Sequence, residues 1–173
     1  MTMKDLKAMI RNIPDFPKAG IMFKDITPLL QDGEAFQQAI DQMAASWADK
    51  QIDVVVGIEA RGFIFAAALA YKLGAGLVIV RKPGKLPYQT KTVTYALEYG
   101  TDSLQIHEDA IAKGQRVLIV DDVLATGGTV KGVAELIQQF DATIAGIAFL
   151  SELSFLNGRE KLQGMDITSL ISF

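Results

Sequence analysis

Short β-branched apolar runs that alternate with stretches of helical periodicity predict an α/β protein: a mainly parallel sheet flanked by helices. Two further observations support that class. The run at residues 54–58 lacks the apolar–polar alternation of a half-exposed sheet, so its strand is expected to be covered on both faces, and the runs at 77–80 and 117–120 also read as strands. At 173 residues, half of them hydrophobic and 21% charged, the chain is long enough to bury a sizeable core. Residues 1–173 are therefore expected to form a single domain, without linker, repeat or low-complexity segment.

Each element has its own signal. Leu6, Met9, Ile10 and Ile13 recur at helical spacing and predict a short helix over about residues 3–13. Pro14 and Pro17 then favour an extended chain, and residues 14–30 read as a structured loop. Phe36, Ile40, Met43 and Trp47 mark a second amphipathic helix with Asp32 as its cap. After the run at 54–58, residues 62–73 are apolar nearly all round and stop at Gly74, as in a buried helix with a glycine C-cap. Residues 77–80 repeat the strand signal. Between Lys82 and His107 the pattern loosens, which predicts an antiparallel excursion with a mobile loop. A strand at 117–120, a helix after Thr129 striped by Val130, Val133, Ile137 and Phe140, a strand at 143–150 and a last one near 167–171 complete the order.

Composition narrows the function. A net charge of −3 without a Lys/Arg block leaves no electrostatic footprint for nucleic acid. With no cysteine, disulfides and thiolate metal sites are impossible. The start lacks an apolar signal core and no run reaches the roughly 18 apolar residues of a membrane span, so a soluble, cytoplasmic protein is expected. His107 is the only histidine; it cannot supply a catalytic triad or a histidine metal site, and it is given no role.

The chemistry concentrates in residues 117–129, V-L-I-V-D-D-V-L-A-T-G-G-T. The apolar run ends in Asp121 and Asp122, and a loop of Ala125, Thr126, Gly127, Gly128 and Thr129 leads into a helix. Glycines let a backbone turn present its N–H groups, and a helix N-terminus adds positive dipole, so the loop suits a phosphate. Carboxylates repel phosphate but accept hydrogen bonds from vicinal hydroxyls. Sugar beside phosphate describes a ribose 5-phosphate. The acid pair lies too late in the chain for a response-regulator receiver, and the P-loop pattern is missing. Two other turns fall at carboxyl ends of predicted strands, where α/β sheets bind ligands. Glu59-Ala60-Arg61-Gly62 offers helix-start N–H groups and a guanidinium. Arg81, Lys82 and Lys85 place three cations within five residues, suited to a polyanionic leaving group.

Run, acid pair, Thr-Gly-Gly-Thr loop and helix together resemble the 5-phosphoribosyl-1-pyrophosphate (PRPP) motif of type I phosphoribosyltransferases. The strings RKPGKLP at residues 81–87 and LEYG at 97–100 resemble the adenine-specific members of that family. The resemblance runs from about residue 16 to 159. It implies the type I phosphoribosyltransferase fold with a small N-terminal hood at about 14–30 and a flexible loop at about 82–107. It implies transfer of phosphoribose from PRPP to adenine, giving AMP and pyrophosphate in purine salvage. Glu59, Ala60, Arg61, Arg81, Lys82 and Lys85 would hold pyrophosphate, with a non-proline cis bond at Glu59–Ala60. Asp121, Asp122 and residues 125–129 would hold the ribose and 5-phosphate. Glu98 would handle the purine proton as the catalytic residue. Phe23 would stack on adenine while backbone groups around Met22 and Lys24 read its edge. Mg²⁺ would be held mainly by PRPP, pyrophosphate and water, and a homodimer is implied. Lys24, Val123 and residues 87–90 depart from the usual pattern without removing a phosphate, ribose or proton-transfer group. Two other activities fit the same motifs: transfer to another purine such as xanthine or hypoxanthine, and a non-catalytic PRPP-sensing regulator.

Overall fold

Where helical periodicity predicts a helix over residues 3–13, the chain makes one turn and then a strand. The Asp5 carboxylate accepts from the N–H groups of Lys7 and Ala8 at 3.1 and 3.2 Å, and Met9 and Ile10 bond back three residues to Leu6 and Lys7. The turn goes no further because Ile13 precedes Pro14, which disfavours the helical region for it. Residues Arg11–Ile13 instead form β1, paired antiparallel with β2 (Phe23–Asp25). The computed structural model describes residues 3–97 and 100–173.

The chain divides into two compact units, residues 1–42 and 43–173. In the first, the segment read as a loop holds β2 and the start of α1 (Thr27–Gln31). Pro28 lies in the first turn of α1, where a missing N–H costs nothing. Asp32 caps α2 (Gly33–Ala45) as expected, accepting from the Ala35 N–H at 2.9 Å and also pairing with Lys4 Nζ at 2.6 Å.

The second unit contains a five-stranded parallel sheet in the order β4-β3-β7-β8-β9, built from β3 (Val54–Ile58), β4 (Gly76–Val80), β7 (Arg116–Leu124), β8 (Thr143–Glu152) and β9 (Ile167–Ser172). The helices α3 (Gly62–Leu73) and α4 (Gly128–Gln138) follow β3 and β7. Gly74 ends α3 in the left-handed conformation, as the C-cap reading requires. Every residue of β3 is buried, in keeping with a strand covered on both faces. β4, by contrast, is an edge strand whose Leu77 and Ile79 are exposed. The predicted excursion is a separate antiparallel hairpin, β5 (Thr90–Ala96) and β6 (Thr101–His107).

The run read at 117–120 continues to Leu124, so Asp121 and Asp122 lie inside β7 rather than at its end. The sheet is parallel, so the turns after β3, β4 and β7 emerge at one edge. Among the described residues, no helix is long and apolar enough to cross a membrane.

Candidate active site

A cavity of about 330 Å³ opens at that edge, within the size range of small-ligand sites. Asp121, Asp122 and residues 125–129 line one side of it, and Glu59, Ala60, Arg61 and Lys82 also border it. Asp122 is only 5% exposed, and Arg61 Nε reaches its Oδ2 at 2.9 Å. The Asp122 N–H donates to Asp121 Oδ1 at 2.9 Å. Burial pushes the Asp121 carboxyl well above its ordinary range, and the adjacent Asp122 charge adds to the rise. The Asp122 N–H and Arg61 oppose it without cancelling it.

Beyond the acid pair, Gly127 adopts φ +81° directly before α4. That left-handed turn is open to glycine, and a Cβ there would come 2.5 Å from the Gly158 carbonyl oxygen. The loop therefore delivers the chain straight to a helix N-terminus, where backbone N–H groups favour an anion.

On the β3 side, the Glu59–Ala60 peptide is cis, at the bond to which the resemblance pointed; Phe16–Pro17 is also cis. Glu59 accepts from the Lys82 backbone N–H and pairs with Lys85 Nζ at 2.7 Å. Burial would raise its carboxyl, but Lys85 and the Lys82 N–H outweigh it and hold it below the usual range. Lys82 Nζ pairs with Asp102 Oδ2, and this ammonium together with the Ser103 N–H lowers the Asp102 carboxyl. Arg81 does not line the cavity. Its Nε is buried without a hydrogen bond, 3.8 Å from Glu59 Oε1, and its guanidinium stands 6.0 Å from the Phe63 ring centre. Lys85 reaches the site only through Glu59.

Met22, Phe23 and Lys24 lie in the first unit. There Phe23 packs edge-on against Phe16 at 5.1 Å between ring centres, and Lys24 Nζ donates to Asn12 Oδ1 at 2.8 Å. Glu98, with Tyr99, lies outside the described residues. His107 accepts from the Tyr88 N–H at 3.3 Å and meets the Tyr88 ring edge-on, so its contacts serve the hairpin.

Tyr95 and Asp102, which also line the cavity, were not read from the sequence. They meet only across the β5–β6 register, in which residues 95 and 102 are partners. Among the described residues, no three His, Asp or Glu side chains gather as a metal-binding group.

A family model for the phosphoribosyl transferase domain matches residues 29–162. An adenine phosphoribosyltransferase of Thermoanaerobacter sp. (strain X514) is 57% identical over 173 residues, covering 100% of both chains. The crystal structure of adenine phosphoribosyltransferase from Thermoanaerobacter pseudethanolicus superposes with a TM-score of 0.95 at 56% identity, covering 98% of each chain. The enzyme from Saccharomyces cerevisiae, complexed with D-2,5-dideoxy-2,5-imino-altritol 1,6-bisphosphate and adenine, gives a TM-score of 0.89 at 40% identity, over 95% of this chain and 96% of that one.

Proposed function

The chain belongs to the adenine phosphoribosyltransferases of the phosphoribosyltransferase family, and on that premise we infer that it transfers the 5-phosphoribosyl group of PRPP to adenine, releasing AMP and pyrophosphate. The supporting observation is one cavity that combines an acid pair with Asp122 buried, a glycine loop at a helix N-terminus and two cations, Arg61 and Lys82. Its parallel sheet with flanking helices is the type I phosphoribosyltransferase fold.

In this reading the N–H groups and hydroxyls of Thr126, Gly127, Gly128 and Thr129, with Ala125, hold the 5-phosphate. Asp121 and Asp122 orient the ribose by accepting from its hydroxyls. Positive charge develops at C1′ as the bond to pyrophosphate breaks and purine N9 attacks. The residues from Glu59 to Arg61 with Arg81, Lys82 and Lys85 receive the departing anion: Arg61 and Lys82 directly, Arg81 and Lys85 by way of Glu59. Glu98 takes the purine proton, while Phe23, Met22 and Lys24 supply the base-binding hood. Mg²⁺ would be held mainly by PRPP, pyrophosphate and water, and would there offset charge on the diphosphate. The hood at 14–30 and the loop at 82–107 act with the sheet as one phosphoribosyltransferase domain in the cytoplasm. A homodimer would cover the apolar side chains of Ile64, Tyr71, Leu77 and Ile79 on α3 and edge strand β4.

A coupled assay of pyrophosphate release from PRPP and Mg²⁺, run separately with adenine, hypoxanthine, guanine and xanthine, tests the reading. Turnover with adenine alone is expected. Turnover with another base instead overturns the base assignment, and PRPP binding without any turnover overturns the enzyme.

A further inference from the structure

Two basic side chains that line the cavity, and Lys85 beside it, each carry a carboxylate partner: Arg61 on Asp122, Lys82 on Asp102 and Lys85 on Glu59. Asp122 and Glu59 belong to the ribose and pyrophosphate motifs. Asp102 belongs to neither. We infer that Asp102 holds the Lys82 ammonium at the border of the pyrophosphate subsite in competition with the anion, yields it when pyrophosphate binds, and takes it back on release. This rests on the phosphoribosyl-transfer reading above.

The geometry of the carboxylate supports the inference. Lys82 Nζ and the Tyr95 hydroxyl, the latter at 3.4 Å, both donate to Asp102 Oδ2, while the Ser103 N–H donates to Oδ1 at 2.8 Å. Tyr95 is the cross-strand partner of Asp102. Its ring lies flush on α4, so close that a Cβ on Gly132 would come within 2.8 Å of it. Two of the three donors on Asp102 are thus fixed by the hairpin and by α4, independently of Lys82.

That arrangement makes an exchange inexpensive. A carboxylate that lost its only donor inside a closed pocket would carry a large penalty. Asp102 keeps the Tyr95 hydroxyl and the Ser103 N–H when Lys82 turns to a phosphate oxygen. The Lys82 and Asp102 side chains are 41% and 29% exposed, so their pairing is solvent-screened and weak enough to be outcompeted by a polyanion. Lys82 is meanwhile held at its backbone, whose N–H donates to Glu59. Its ammonium can therefore swing without the segment moving.

The experiment is a double-mutant cycle on the full chain, read as the calorimetric Kd of pyrophosphate with Mg²⁺ for wild type, D102N, K82M and D102N/K82M. Removing the competing charge should make D102N bind pyrophosphate about two- to fivefold more tightly, the scale of a partly exposed ion pair. In the K82M background the same substitution should leave the Kd unchanged, and D102E should return it to the wild-type value. Tightening that persists in K82M would mean a general field effect and would overturn the inference. So would a D102N protein that binds as wild type does, or less tightly. If D102N does not fold, Asp102→Ser serves in the same cycle. A wild-type chain that neither binds pyrophosphate nor turns over adenine would sink the functional reading itself; one that does both leaves the cycle to decide on Asp102 alone.

Discussion

The acid-pair strand and the hairpin both line the cavity, but they are built differently. Strand β7 sits between β3 and β8 in the parallel sheet, and its Val117 to Val120 are fully buried. The β5–β6 hairpin is a two-stranded sheet of its own, half-exposed along much of its length. A centrally placed strand can hold two carboxylates where water is scarce, which suits rigid recognition of a ribose. A two-stranded excursion has fewer neighbours and suits groups that act and then withdraw. In the proposed reaction, ribose recognition would thus fall to the sheet and cation control at Asp102 to the hairpin, with Glu98 between β5 and β6 in the sequence.

The largest expected effect tests the hairpin's side of that division. Glu98→Gln should lower kcat by roughly 10²- to 10⁴-fold while PRPP affinity stays close to wild type. Steady-state kinetics beside calorimetric PRPP binding separates the two. Wild-type turnover would remove Glu98 from the mechanism, and a loss of PRPP affinity would make the hairpin a binding element.

The complementary test strikes the strand. Replacing Asp121 and Asp122 together by Asn should weaken PRPP and AMP by about 10²-fold or more, since two charge-assisted acceptors are lost. If both ligands bind the double variant as tightly as wild type, the ribose assignment is wrong. Gly127→Ala should weaken PRPP less, by about tenfold, because its Cβ strains a left-handed turn and meets the Gly158 carbonyl. An unchanged Kd there would mean that the loop can relax without losing its N–H geometry.

The same contrast explains what the sequence made legible. Residues 54–58 and 117–120 announce themselves because strands covered on both faces must be continuously apolar, and Gly74 because a helix end needs a left-handed residue. The proposed phosphate loop is visible because its chemistry is local, compressed into five consecutive positions. Asp102 and Tyr95 are seven apart and meet only through the hairpin register, so no local pattern reports them. The extension of β7 through Asp121 and Asp122 was hidden because carboxylates ordinarily end a strand. Here Arg61 compensates for one of them, and that partner comes from a different strand-to-helix turn. The helix read over residues 3–13 failed for a related reason: a short apolar stripe cannot outweigh Pro14 and pairing with β2.

The smallest effects concern stability, and they should run in opposite directions in the two regions. Burial and the Asp122 charge make Asp121 hold its proton more tightly in the folded chain than in the unfolded one. Stability therefore declines as pH rises from the unfolded to the folded pKa of this group, and the deficit is complete above both. Asp121→Asn keeps the shape but cannot ionise. Its Tm should exceed that of wild type at pH 8, with the gap closing as pH falls toward the ordinary carboxylate range. Asp102 is the reverse case, because Lys82 and the Ser103 N–H hold its carboxyl low. Its contribution is present above the unfolded pKa and is lost as pH falls through the folded one. At pH 8, D102N should melt about 1–3 °C below wild type, the worth of one half-exposed ion pair in a chain of this length, and the difference should vanish in acid. Scanning calorimetry of both variants from pH 8 downward checks the two signs together. Were both variants to shift the same way, recognition and release would not be divided between a strand that costs stability and a hairpin that adds it.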